Sequence, residues 1–96
     1  MTGSISGTIT DPTGSVISGV VVTVTKIAQN VQTKSATDAK GAYTFPSLPV
    51  GQYNLKTDAP GFKPSSRADL AVDLDSHVEV DLSLELAERL EQVNGN

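Results

Sequence analysis

The fold is decided by the stretch TDAKGAYTFPSLPVGQYNL, which spans residues 37–55. Tyr43 and Phe45, followed by Tyr53 and Leu55, recur with a period of two, and this period is typical of strands with one buried face. Two glycines and two prolines separate these pairs, and such residues occupy tight turns. Proline fixes φ and has no backbone donor, so we expect each proline to interrupt strand pairing. The stretch therefore predicts a tight β meander.

The same alternation continues outward from this stretch in both directions. The β-branched run VVVTVTKI disfavours a helix, and HVEVDLSLEL alternates apolar with acidic or polar side chains, as a half-buried strand does. The predicted strands are seven in number: Ser4–Thr10, Val20–Ile27, Val31–Thr37, Ala42–Phe45, Gln52–Thr57, Ser65–Val72 and His77–Leu86. Turn residues separate them at short intervals, which predicts an all-β sandwich with no helix before residue 86.

The sandwich is expected to enclose one core between its two sheets. Tyr43 and Phe45 share a face of an ideal strand, but the short span before Pro46 can distort that strand, so only one of the two is firmly placed in the core. The other residues predicted to point inward are Ile5, Ile9, Val22, Val24, Tyr53, Leu55, Val80 and Leu82.

The chain has 96 residues, which is the length of one domain. We predict that residues 1–86 form the sandwich. Residues 87–96, AERLEQVNGN, change in character and are predicted to form a polar C-terminal linker or tail.

Composition excludes several classes of function. The formal net charge is −4, which is poorly suited to a nucleic-acid backbone, so no nucleic-acid partner is expected. The chain has no cysteine, and this excludes disulfides, thiolate metal sites and cysteine nucleophiles. No apolar run approaches the ~20 residues of a membrane span, and no signal-peptide pattern is present, so this chain is not expected to insert into a membrane.

The polar residues form no pattern that predicts chemistry. His77 is the single histidine, so a zinc site lacks ligands, and no nucleophile-elbow motif accompanies it. Asp73 and Asp75 lie near a turn but lack the spacing of a calcium loop. Glu79, Asp81 and Glu85 alternate along a solvent face. We therefore predict no catalytic, cofactor-binding or metal-binding residues.

Several motifs resemble a known family. The motifs are GTITD at residues 7–11, TD at 37–38, LPVG at 48–51 and APGF at 59–62, and the alternating strand at 78–86 completes the set. In residue type and spacing they resemble the carboxypeptidase regulatory-like domains. The resemblance covers about residues 4–86 and rests on turn glycines and core aromatics, so it carries over a fold and not a site.

The resemblance implies a prealbumin-like, seven-stranded antiparallel Greek-key β-sandwich. Such domains occur beside metallocarboxypeptidase catalytic domains and at the N-terminus of TonB-dependent outer-membrane receptors, and the LPVG and APGF motifs are most similar to the receptor-associated branch. It implies a non-catalytic accessory module of a larger exported or outer-membrane bacterial protein, located in the periplasm, at the outer membrane or outside the cell. The implied partners are adjacent domains of a parent protein or another exported protein.

The strand at Val31–Thr37 is the predicted surface for such a partner. Neither of its faces is clearly apolar, which is typical of an edge strand, and an unpaired edge can accept a strand from a partner. The candidate contact residues are Val31, Thr33, Lys34 and Ser35. As an isolated domain the chain is expected to be a monomer.

The alternative is a module that binds a carbohydrate or another small ligand through its end loops. Phe62, in the loop after Ala59-Pro60-Gly61, is the one candidate contact for this function. An exposed Phe62 would favour the alternative because sugars stack on aromatic rings, and a buried Phe62 would remove that platform.

Overall fold

The computed structural model describes residues 1–87, and these contain no helix and hence none that could cross a membrane. Eight strands are present: β1 (Thr2–Thr10), β2 (Val21–Lys26), β3 (Val31–Ala36), β4 (Ala42–Pro49), β5 (Gly51–Asp58), β6 (Ser66–Val72), β7 (His77–Glu79) and β8 (Leu82–Ser83). The predicted tail at residues 87–96 falls, after Ala87, outside the described residues.

The strands form two sheets that enclose the core, so the predicted all-β sandwich is confirmed. The first sheet has β1 at its centre, with β4 on one side and β7 and β8 on the other. The second sheet has the order β3-β2-β5-β6. β3 therefore lies at an edge, as its weak pattern predicted.

The direction of the last strands differs from the prediction of a fully antiparallel fold. β1 pairs with β4 antiparallel but with both β7 and β8 parallel. The turn at 73–76 carries the chain from β6 across to the first sheet, where Ser4 lies beside His77. The observed sandwich thus differs from the predicted seven-stranded antiparallel Greek key in strand number and in this parallel pairing.

The extra strand arises because the predicted strand His77–Leu86 is interrupted at its centre. The pairings of β7 and β8 with β1 have the same register, and only Val80 and Asp81 separate the two strands. The amides of Val80 and Leu84 still donate to carbonyl oxygens of β1. Between these two bonds the amide of Thr8 donates to the Asp81 carboxylate at 2.9 Å. The Asp81 side chain thus accepts the hydrogen bond that a backbone carbonyl would accept in an unbroken strand.

Gly7 and Tyr43 determine the geometry at this break. The Tyr43 hydroxyl donates to the Val80 carbonyl oxygen at 2.6 Å, and the amide of Val80 donates to the Ser6 carbonyl oxygen at 2.8 Å. A Cβ atom on Gly7 would lie 1.8 Å from that Val80 oxygen and 2.9 Å from the Tyr43 hydroxyl. Only a residue without a side chain leaves room for this approach.

Pro46 does not end its strand, contrary to the expected interruption. β4 runs through it to Pro49, and the register shifts between the pairs Gly3–Leu48 and Ile5–Phe45. The shift is a bulge, in which β4 has one residue more than β1. It also changes the phase of the alternation, so that Leu48 is buried on the same side as Phe45.

The core contains every residue predicted for it, and both Tyr43 and Phe45 belong to it. Their rings meet edge to face, with centroids 6.0 Å apart, which is a favourable arrangement. The members with no exposed surface are Ile5, Ile9, Val20, Val22, Val24 and Leu55. Each such aliphatic side chain stabilises the fold by about 1.5–3 kcal/mol relative to exposure. Leu86, at the end of the predicted apolar face, is instead 60% exposed.

A buried threonine holds the connector between β1 and β2 in place. The Thr37 hydroxyl accepts from the amide of Val20 at 2.9 Å and donates to the Ile17 carbonyl at 2.7 Å. Its backbone also pairs with Gly19 and Val20. The residue that follows β3 thus fixes the entry to β2, and with it the end of the sheet to which β3 belongs.

Replacing Gly7 by Ala should destabilise the domain by about 4 kcal/mol, because the new Cβ meets backbone and has no space to move into. Urea unfolding followed by circular dichroism measures the change. Gly61→Ala is the matched control, since it has a φ of 81° and nothing within 4 Å of the new Cβ. It should cost only the backbone strain of about 1–2 kcal/mol. Equal losses in the two variants would contradict the packing described for Gly7.

The Tyr43 phenol makes the domain sensitive to alkali. Burial, and to a lesser degree the charge of Asp81, raises the pKa of Tyr43 from 10.0 to about 12. The unfolded chain then loses this proton at a lower pH than the native domain, so the stabilisation is present below pH 10 and is lost as the pH rises towards 12. Tyr43→Phe should lower the free energy of unfolding by about 1–2 kcal/mol at pH 7. Above pH 10 the free energy of unfolding of this variant should fall less steeply than that of the native protein. Parallel pH profiles for the two proteins would contradict this account.

Candidate functional site

The edge strand β3 is the best candidate for a binding surface. It pairs with β2 over all six of its residues, from Val31–Lys26 to Ala36–Val21, without a register shift. Its other side has no neighbour among the described strands. Of the four predicted contacts, Val31, Thr33 and Lys34 are exposed and Ser35 is half-buried, so the structure brings all four together on this edge.

The other edges of the two sheets are less suited to accepting a strand. β4 contains two prolines and a bulge. β6 has a register shift opposite Tyr53 and Leu55, where Asp69 adopts a φ of 59°. β7 and β8 have only three and two residues. Prolines, bulges and short lengths are features that protect edges from unwanted pairing, and β3 has none of them.

The core-facing side of β3 is only partly covered by the first sheet. Val24 and Thr33 are opposite each other, yet Val24 is fully buried and Thr33 is exposed. The uncovered part forms a cleft of about 230 Å³, lined by Lys26, Gln29, Val31, Thr33, Pro49 and Tyr53. The Tyr53 hydroxyl donates to the Pro49 carbonyl at 2.7 Å and fixes one wall of this cleft. A strand added to β3 could therefore place a side chain here.

The opposite end of the sandwich contains Phe62, the candidate for ligand stacking. Phe62 is half-buried, packs against the core and forms a bridge with Leu86. The other three aromatic residues of the chain, Tyr43, Phe45 and Tyr53, are buried. Phe62 is thus mainly the apolar plug of its loop, and residues 1–87 offer no fully exposed aromatic ring for a sugar.

His77 lies on the outer face of the first sheet between two serines. Its Nδ1 is 2.8 Å from the Ser4 hydroxyl and its Nε2 is 3.0 Å from the Ser6 hydroxyl. Both ring nitrogens are thus within hydrogen-bonding distance of a serine hydroxyl in this exposed cross-strand group. Within residues 1–87 no three His, Asp or Glu side chains gather closely enough to hold a metal ion.

Two aspartates outside the candidate site stabilise turns. The amides of Ala42 and Lys40 donate to the Asp38 carboxylate and lower its pKa, at distances of 3.0 and 2.8 Å. The Thr13 hydroxyl, with nearby amides, likewise lowers the pKa of Asp11. These carboxylates stabilise the loops between β1 and β2 and between β3 and β4.

Comparison with known proteins decides the family. The carboxypeptidase regulatory-like domain family matches residues 4–85. This chain belongs to that family. The TonB-dependent transporter Oar of Myxococcus xanthus is 36% identical over 74 residues, which are 75% of this chain. The match spans only 7% of the transporter, so the chain corresponds to a small part of that relative.

Two solved structures illustrate how widely the fold of this carboxypeptidase regulatory-like domain occurs. Chlorocatechol 1,2-dioxygenase from Pseudomonas putida has a TM-score of 0.70 and 17% identity, over 88% of this chain and 60% of the enzyme. BcpA, the major pilin subunit of Bacillus cereus, has a TM-score of 0.68 and 18% identity, over 88% of this chain and 29% of the pilin. At such identities the likeness shows the fold alone.

Acid should destabilise the domain through the two turn aspartates. Because hydrogen bonds lower their native pKa, their contribution is present above the unfolded value of 3.8 and is lost as the pH falls through the native values. The double variant Asp11→Asn/Asp38→Asn should therefore lose less stability between pH 5 and pH 2 than the native protein does. Urea unfolding at a series of pH values measures this, and identical acid profiles would contradict the assignment.

Proposed function

We propose that this carboxypeptidase regulatory-like domain is a non-catalytic interaction module of a larger protein of the bacterial cell envelope, and that it binds by accepting a strand at β3. The observation that carries the proposal is the combination at β3 of six continuously paired residues with an outer edge that no described strand covers. Backbone hydrogen bonds would supply the affinity, and side-chain pockets would supply the specificity.

The relation to Oar supports a place in the envelope. That protein is a TonB-dependent transporter, and the matched segment is a small fraction of its length. A domain of this size in a long chain has its own neighbours as the first available partners. We infer that an adjacent segment of the parent protein, or another exported protein, occupies β3.

Exposed apolar side chains also indicate a contact surface at the end of the sandwich where β3 begins. Among residues 1–87 eight large hydrophobic residues are exposed, and five of them lie where β3 begins or in the turns of that end: Met1, Ile27, Val31, Val50 and Leu74. Backbone bonds from Val50 to Met1, from Ile27 to Gln52 and from Asp75 to Thr2 hold these turns side by side. A strand entering β3 beside Val31 would cover part of this apolar surface.

We propose a non-catalytic role because the polar side chains that could take part in a reaction form hydrogen bonds within the domain. His77 is occupied by two serines on an open sheet face, and the two hydrogen-bonded aspartates belong to turns. No specific observation favours the carbohydrate alternative, because Phe62 packs against the core.

Val31→Lys tests the proposal. Val31 is 56% exposed, so the substitution should change the free energy of unfolding by less than about 0.5 kcal/mol. It places a charge in the cleft beside Lys26 and should weaken strand addition by about tenfold or more. Hydrogen exchange of the Val31–Ala36 amides, with and without the adjacent segment of the parent protein, measures binding.

The matched control is Val16→Lys, which adds the same charge at a residue that is 48% exposed and is bridged to Thr10 of β1, not to β3. Protection of the Val31–Ala36 amides should survive this change. Protection that is confined to the loop around Phe62, with β3 unaffected, would overturn strand addition and favour the ligand-binding alternative.

A further inference from the structure

The outer face of the second sheet, on the side away from the core, is shaped as a groove of about 400 Å³. It crosses all four strands of the sheet. The lining residues are Val21, Thr23, Thr25, Gln32, Lys34, Asn54, Leu55, Lys56, Asp58, Ser66, Arg67 and Ala68. This groove is separate from the cleft beside Val31, because Val31 and Lys34 lie on opposite faces of β3.

Thr23 is at the centre of the groove with a lysine on either side. It is directly opposite Lys34 on β3 and directly opposite Lys56 on β5. Residues paired in this way point to the same face of a sheet, so the three side chains form one row. Since neighbouring strands are about 4.8 Å apart, the two lysine backbones are about 10 Å apart. Two flexible ammonium groups can thus converge on one position above Thr23.

The hydroxyl of Thr23 has no hydrogen-bonding partner among the described residues. Three polar side chains are buried among the described residues, and all three belong to threonines. Two of them, Thr37 and Thr57, bond to backbone groups. Thr23 is only 8% exposed and makes no such bond. Because Thr23 lines the groove, its hydroxyl is available to a group that binds there.

The charge of the groove is opposite to that of the chain. Three cationic side chains, Lys34, Lys56 and Arg67, line it against the single carboxylate of Asp58, whereas the chain has a net charge of −4. The one ion pair in the described part of the chain joins Lys63 to Glu85, outside the groove. An anionic group is therefore attracted to this face and repelled by much of the remaining surface.

The neighbouring row of side chains favours a polypeptide over a sugar. Thr25 is opposite both Gln32 and Asn54, which places two amide side chains beside the lysine row. The Asn54 carbonyl oxygen accepts from the amide of Asp69 at 3.2 Å and leaves its NH₂ group as a donor. Amide groups pair well with peptide groups. No aromatic ring lines the groove, so a sugar finds no stacking surface.

We infer that this groove binds an acidic segment of a partner polypeptide, with one carboxylate seated between Lys34 and Lys56 and accepting a hydrogen bond from the Thr23 hydroxyl. Charge-assisted hydrogen bonds of this kind are stronger than neutral ones. The inference goes beyond the proposed strand addition and does not depend on it, since it concerns a face of the sheet and not its edge.

A hexaglutamate peptide is the probe, titrated into the domain at about 0.15 M salt so that only short-range attraction survives. Backbone amide shifts should change at Thr23, Lys34 and Lys56. Lys34→Gln and Lys56→Gln should each weaken binding by about tenfold. Thr23→Val keeps the shape of the side chain, and should weaken binding by about threefold or more without lowering the melting temperature.

Lys40→Gln is the matched control, because it removes the same charge from the exposed turn after β3. An equal loss of affinity in Lys40→Gln would show attraction by overall charge and overturn the inference. Tighter binding of a hexagalacturonate, with the same dependence on Lys34 and Lys56, would replace the peptide by an anionic glycan and also overturn it. Val31→Lys should leave hexaglutamate binding unweakened, so failure of strand addition is distinguishable from failure of this site.

Discussion

The lack of a side chain at Gly7 allows the last strand to lie against the middle of β1, and the first sheet is organised around that contact. The Val80 carbonyl occupies the space that a Cβ on Gly7 would need, and the Tyr43 hydroxyl reaches across from β4 to bond it. The contact at Gly7 thus joins β1, β4 and the segment between β7 and β8. Since Tyr43 also packs against Phe45, the same contact joins the backbone pairing of the first sheet to the aromatic part of the core.

Much of the fold could be predicted from the sequence because its strands keep a period of two, and every predicted core residue is buried or belongs to the core. Three features escaped prediction. Parallel pairing of β7 with β1 depends on where the chain crosses between sheets, and alternation carries no information about direction. The break at Val80 and Asp81 depends on tertiary contacts with Gly7 and Thr8. Pro46 has no amide to donate, but a bulge accommodates it, so β4 continues to Pro49.

The two candidate sites also differ in how far the sequence alone could predict them. β3 was predicted as an edge because neither of its faces is clearly apolar, and that reasoning needs only the residues of one strand. The row Lys34–Thr23–Lys56 joins three strands, and it becomes visible only when their registers are known. Thr23 itself looks in the sequence like any threonine on a solvated face. Its burial, and the lack of a partner for its hydroxyl among residues 1–87, are properties of the folded sheet.

The parallel pairing of β1 with β7 and β8 also has a mechanical meaning. Met1 lies beside Val50 at one end of the sandwich, and Ala87 lies beside Gly61 at the other. A tensile force between these two residues would act along the paired strands, so that their hydrogen bonds are loaded together in shear and not broken one after another from an end. Segments attached on the two sides of the domain would leave it in opposite directions. In a chain under tension the domain would then behave as a stiff extender that adds the length of β1, about 30 Å, to the tether.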